Sequence, residues 1–224
     1  MFAETAVILR NSRGLARPAT EYDGLDNRFA SRSDVNFKGE SQMKRSVLAV
    51  AVAATALTFG AAVHAQKTTP VHDGKAGSPH VRTETTVDGG NISIEYGRPS
   101  LKGRVPGKDI DPYEGREWRT GADEATTLKT DKALKFGNLA VPAGTYTLYT
   151  IPTGGTWHLV VSKKTGQWGV PYPKGEDLGR VPMTLGKAPT AAEMLTITVQ
   201  DTAAGGTVHI DWGTTRASIP FTVG

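Results

Sequence analysis

From residue 81 onward the chain runs through short stretches in which apolar and polar side chains alternate, the pattern of strands with one face against a core. Val81, Thr83, Thr85 and Val87 alternate with Arg82, Glu84 and Thr86, and Asp88-Gly89-Gly90-Asn91 then tolerates positive φ before Ile92, Ile94 and Tyr96 resume. That spacing predicts a first hairpin. Leu134 and Phe136, Gly137-Asn138, then Leu139 and Val141 predict a second, with a tight turn at Pro142-Ala143-Gly144. Tyr146, Leu148 and Thr150 lead to Pro152 and Gly154-Gly155, from which Trp157, Leu159 and Val161 return. Leu195, Ile197 and Val199, Ala203-Ala204-Gly205-Gly206, then Val208, Ile210 and Trp212 predict a fourth hairpin, closed by Ile219, Phe221 and Val223.

A helix needs apolar residues at i, i+3, i+4 and i+7 over ten or more positions, and only Pro189 to Met194 offers one helical turn. Two stretches, 97 to 125 and 162 to 182, break the alternation and read as long loops, which in a compact domain are often binding loops. The fold expected is therefore all-β: an antiparallel β-sandwich or jelly-roll-like barrel with two long loops and little helix. Of the 26 Gly and 13 Pro, the 22 Gly and 12 Pro within 66–224 stand between the alternating runs as turn punctuation, in keeping with that fold.

Upstream of the strands, Met43-Lys44-Arg45-Ser46 precedes the uncharged run Val47 to Ala62 and then Val63-His64-Ala65, with small residues one and three places before Gln66. This is the layout of a secretory signal at 43–65 cut after Ala65, and the apolar run falls short of the roughly 20 residues of a permanent membrane span. Residues 1–42 read as a non-native or disordered extension, 66–79 as a flexible linker and 80–224 as the β-sandwich domain. The mature chain is expected in the periplasm or outside the cell, with no membrane attachment. Cysteine is absent, which excludes a disulfide framework, a thiolate metal site and a cysteine nucleophile. Lys plus Arg is 26 against 22 for Asp plus Glu, a scattered excess of +4 that gives no basic patch for nucleic acid.

Tyr96-Gly97-Arg98-Pro99-Ser100-Leu101-Lys102-Gly103-Arg104, the run Trp118-Arg119-Thr120-Gly121-Ala122-Asp123-Glu124-Ala125-Thr126, and Pro142-Ala143-Gly144-Thr145-Tyr146 through Pro152 resemble the DUF2911 family, a domain of unknown function. Trp157, Gln167-Trp168-Gly169 and Trp212 with Arg216 extend the resemblance over roughly 80 to 222. It implies an exported β-domain and assigns no reaction. Asp123 departs from the family pattern, which more often carries Asn there, and so adds a negative charge beside Glu124.

Candidate chemistry gathers in the two loops. Arg98 and Arg119 can each hold a carboxylate or phosphate in two parallel bonds, or can pair with Glu117, Asp123 or Glu124 to pin the first loop. Asp123 and Glu124 are adjacent, so in an extended segment they point to opposite faces and do not converge on one bond. Trp118 and Trp168 offer aromatic faces for a sugar or apolar ligand, whereas Trp157 and Trp212 alternate with polar neighbours and read as core. His158, His209 and Asp211 make a metal site only if their strands are neighbours, and no metal or cofactor is assigned from the sequence. Neither a nucleophile elbow nor a phosphate-binding glycine loop is present. The leading expectation is a non-enzymatic module binding a small molecule or glycan through Arg98, Trp118, Arg119, Asp123, Glu124 and Trp168. A hydrolase using loop carboxylates and a structural or interaction module of the cell envelope stand as alternatives.

Overall fold

The structure, a computed structural model, describes residues 65–75 and 77–224, so the expected extension and all but the last residue of the expected signal lie outside the described residues. Ten strands form there: β1 (Lys67–His72), β2 (His80–Val87), β3 (Gly90–Gly97), β4 (Ala122–Thr130), β5 (Leu134–Phe136), β6 (Leu139–Val141), β7 (Gly144–Thr153), β8 (Thr156–Ser162), β9 (Asp177–Thr202) and β10 (Gly205–Val223). They join antiparallel in the order β1-β2-β3-β4-β7-β8-β9-β10-β5-β6, with β1 and β6 as unclosed edges. The expected all-β, sandwich-like architecture is what forms, with no helix among the described residues.

The four predicted hairpins are β2/β3, β5/β6, β7/β8 and β9/β10, each turning where glycines supply positive φ or close approach. Period two decides which side chains face inward: Val81, Thr83, Thr85 and Val87 are buried on β2, and Ile92, Ile94 and Tyr96 on β3, while Arg82 and Glu84 stay outside. These residues meet Leu195, Ile197, Val199, Val208, Ile210 and Trp212 from β9 and β10 in one core, where each fully buried aliphatic or aromatic side chain contributes roughly 1.5–3 kcal/mol.

Strand β9 makes the sandwich. Its first residues, from Asp177 to Met183, pair with β8, and from Thr184 onward it pairs with β10, so it carries the chain from one layer to the other. Where it leaves β8 it exposes an edge, and the first layer seals it. The Leu195 N–H donates to Pro99 O at 3.0 Å, the Ile197 N–H to the Tyr96 hydroxyl at 2.8 Å and the Val199 N–H to Gln66 Oε1 at 2.5 Å. The carbonyls are met as well: Arg98 Nε donates to Leu195 O, and Thr83 Oγ1 to Ile197 O. A strand edge satisfied in this way is closed to pairing with another chain.

Four expectations change. The stretch 66–79 is not all linker, since β1 lies within it and pairs with β2. Pro189 to Met194 is extended within β9 instead of forming a helical turn, because the long β9/β10 ladder outweighs one local turn's worth of helical spacing. The closing run at Ile219 is no separate strand but the end of β10. Finally, the loops are shorter than 97–125 and 162–182: β4 begins at Ala122, and β9 at Asp177. The second loop also covers the outer face of β7 and β8, where Tyr149, Ile151 and Val160 form a small second core against Tyr172, so β7 is buried on both faces.

Candidate functional site

The two loops meet at a fault in the β3/β4 ladder. Glu95 pairs with Thr127 and Gly97 with Ala122, so the four β4 residues Asp123, Glu124, Ala125 and Thr126 stand opposite Tyr96 alone and leave the ladder, with Asp123, Ala125 and Thr126 still buried. Thr120 and Asp123 take left-handed conformations, φ 56° and 60°, on either side of Gly121-Ala122. Asp tolerates that region through its short polar side chain; a β-branched Thr there is strained, and backbone strain of this kind concentrates at functional sites. Thr120 is held by its hydroxyl, which donates to Trp118 O, and its carbonyl accepts from Thr126 Oγ1 at 2.9 Å. The segment reaches the second loop, where the Ala125 N–H donates to Gln167 O.

Because the backbone is irregular here, Asp123 and Glu124 do converge, contrary to the expectation for adjacent residues of an extended strand. Both aim at His80 Nε2, Glu124 Oε2 from 3.3 Å and Asp123 Oδ2 from 3.8 Å. His80 opens β2 and is only 2% exposed. His72 closes β1 directly across from it, placed there by a slip in register between Pro70 and His72, and the two imidazoles stack with centroids 4.2 Å apart and planes 18° apart. His72 Nε2 lies 4.0 Å from the same Glu124 Oε2. His72 Nδ1 accepts from the Gly74 N–H, and Lys75 Nζ stands 3.3 Å from Glu124 Oε1. Glycine frames the cluster: a Cβ at Gly97 would sit 2.2 Å from Ala122 O and 2.7 Å from His80 Nε2, and one at Gly74 would sit 2.7 Å from Asp123 Oδ2.

Burial, and secondarily the neighbouring His72, push the His80 imidazole below its ordinary pKa, with Glu124 and Asp123 opposing. Glu124 is held below the ordinary carboxylate value, first by its own backbone N–H and also by Lys75. His80 Nε2 and Glu124 Oε2 are both buried atoms without a hydrogen-bond partner, although they face each other. Buried polar atoms in that condition are uncommon in folded proteins.

Beside this cluster lies an aromatic shelf. Trp168 is 40% exposed, with the Arg119 guanidinium and the Lys75 ammonium each 5.2 Å from its ring centroid. Arg119 Nη1 also donates to Trp168 O, tying the first loop to the second. Burial pulls Arg119 below its usual pKa, against Asp123 and Asp111.

Of the six residues expected to line a mouth, Arg119, Asp123, Glu124 and Trp168 come together. Trp118 does not: it is 4% exposed, stacks on Trp212, meets Trp157 edge-on and donates its indole N–H to Gly121 O, so it belongs to the core. Arg98 is turned to β9, where Nε meets Leu195 O and Nη2 meets Thr196 Oγ1. The triad His158, His209 and Asp211 is not assembled. His158 faces Pro182 and His209 faces Thr198, far apart along β9, and Asp211 is held bidentately by Arg216 at 2.6 and 2.7 Å. His72 and His80 are not among the candidates the sequence offers, because His72 lies inside, and His80 directly after, the stretch 66–79 that reads as linker. A signal was present: two histidines bracket Asp73-Gly74-Lys75-Ala76-Gly77-Ser78-Pro79, a turn-rich segment of the kind that brings strand ends together.

Fold and site together define a small antiparallel sandwich domain whose two loops dock on a bulged strand beside a histidine and carboxylate cluster. The chain belongs to the protein family of unknown function DUF2911, which it matches over residues 78–221. No curated protein and no solved structure matches it.

Proposed function

We propose that this chain is an extracytoplasmic, non-enzymatic binding module, exported by a signal at 43–65 that is cut after Ala65, and that its ligand rests on the Trp168 shelf. The observation that carries this reading is the exposure of Trp168: a large aromatic ring held partly in solvent beside two cations, while Trp118, Trp157 and Trp212 are buried. An indole face stacks on the C–H face of a sugar ring, and Lys75 and Arg119 beside it favour a ligand bearing a carboxylate or another anionic group. An acidic sugar or short acidic glycan combines both features.

The shelf separates into two kinds of residue. Arg119 braces the loops through Trp168 O, so Arg119→Ala is expected to lower the melting temperature, whereas Trp168→Ala removes contact surface from solvent and leaves it within about 2 °C, or about 0.5–1 kcal/mol for a domain of this size. In titration calorimetry with uronic acid oligosaccharides, wild type is expected to bind and Trp168→Ala to bind at least 10-fold more weakly. Equal affinity in the two proteins, or no binding by wild type, would overturn the reading.

A further inference from the structure

We infer that His72, His80 and Glu124 form a binding site for a divalent transition-metal ion of the Zn2+ class, with Asp123 supplying a second negative charge beside it. Three lines of geometry lead there. First, one donor atom from each of these residues lies within 4.8 Å of the others, and they come from β1, β2 and β4 of one sheet, where β1 pairs with β2 and β4 reaches them across the end of β3. Second, donors bound at 2.0–2.2 Å around a tetrahedral ion are separated by roughly 3.3–3.6 Å. His80 Nε2 and Glu124 Oε2 are already 3.3 Å apart, and the 3.8 Å to Asp123 and 4.0 Å between Glu124 and His72 need only small side-chain adjustments. Third, His80 is 98% removed from solvent, yet its Nε2 points into the cluster without a hydrogen-bond partner, and the facing Glu124 Oε2 is in the same condition. A cation between them satisfies both atoms at once.

Donor chemistry narrows the ion. Two imidazoles and carboxylate oxygen, with no thiolate anywhere in the chain, suit Zn2+, Ni2+ or Cu2+ better than Ca2+ or Mg2+, which prefer all-oxygen shells. Two carboxylates neutralise a divalent charge. Lys75 opposes it, but that side chain is largely exposed and contacts Glu124 through Oε1, so it can swing away and leave Oε2 to the ion. His72 is the weakest donor of the three. Its Nδ1 now accepts the Gly74 N–H, and binding through Nε2 moves a proton onto Nδ1 and ends that bond.

The test uses the full chain, stripped with EDTA and titrated with ZnCl2 near neutral pH in calorimetry, with Co2+ absorption as a second readout of four-coordinate nitrogen and oxygen ligation. One ion per chain and a raised melting temperature are expected. His80→Ala and Glu124→Gln are each expected to weaken binding by more than the roughly 10–100-fold that loss of an outer-shell partner costs, and His72→Ala by less than either. Glu124→Gln replaces a half-exposed side chain by its near-isostere, so it keeps the test valid if His80→Ala fails to fold. Trp168→Ala is expected to bind Zn2+ as wild type does, which separates this site from the shelf: loss of sugar binding with metal binding intact sinks only the shelf. Absence of stoichiometric Zn2+ binding by wild type, or equal affinity in wild type and Glu124→Gln, overturns the inference.

Discussion

Removing the Tyr96 hydroxyl probes how the two layers are joined. That oxygen accepts the Ile197 N–H at 2.8 Å on the side of β9 turned away from β10, and Tyr96 is almost wholly buried. Tyr96→Phe keeps the ring in the core but leaves a buried N–H without its acceptor, at a cost of about 1–3 kcal/mol. The carbonyl of the same residue fares better, because Thr83 Oγ1 still reaches Ile197 O at 3.4 Å. Thr83→Val alone is therefore the milder change, since the Tyr96 hydroxyl also lies 3.4 Å from that carbonyl. With both hydroxyls gone, the carbonyl loses both side-chain donors, so the double variant is expected to exceed the sum of the singles by at least about 0.5 kcal/mol. Urea denaturation measures all four proteins. A loss of about 2 kcal/mol in Tyr96→Phe corresponds to about 4–8 °C in melting temperature for a domain of this size. If Tyr96→Phe stays within about 0.5 kcal/mol of wild type, or the two changes simply add, β9 is not sealed in the way described.

Two further outcomes follow from the same structure. Gly97→Ala is expected to destabilise by about 1–3 kcal/mol, because its Cβ would meet the Ala122 carbonyl, a backbone atom that cannot rotate aside; an unchanged denaturation midpoint would refute the close packing of β3 on β4 there. His209 is pushed below the ordinary value of about 6.5, first by burial and then by Arg216, with Asp211 opposing. The unfolded chain then takes up that proton at a higher pH than the folded one, so the His209 contribution to stability declines as pH falls from about 6.5 toward the folded value and is constant below it. Arg216→Gln removes the lowering cation and leaves Asp211, so the His209 ring signal in NMR is expected to titrate at higher pH than in wild type; a downward move contradicts this assignment.

The four hairpins were legible because a strand with one wet face writes its burial into every second residue and its turns need Gly, Asn or Asp. Strand β1 was not, since an edge strand exposed on nearly every residue has no reason to alternate, and Lys67-Thr68-Thr69-Pro70 reads as linker. Nor was the double burial of β7, which depends on a loop folding over Tyr149 and Ile151 from elsewhere in the chain. For the site, the meeting of the two loops was anticipated, and Arg119 and Trp168 are found at the junction. Convergence of Asp123 with Glu124 was missed because it follows from an insertion opposite Tyr96 that no periodicity announces. Trp118 was drawn toward the surface by its place in a loop, whereas its indole is needed between Trp157 and Trp212.

The insertion opposite Tyr96 also separates two demands on the sequence. Because β3 and β4 regain their pairing on both sides of it, Asp123 to Thr126 owe little to strand geometry, and an exchange of the charged pair within them leaves the flanking register where it is. A designer wishing to give this scaffold a different chemistry would rewrite Asp123 and Glu124 first, keep Ala125 and Thr126 as the anchors of the segment, and let the rest of the sandwich stand untouched.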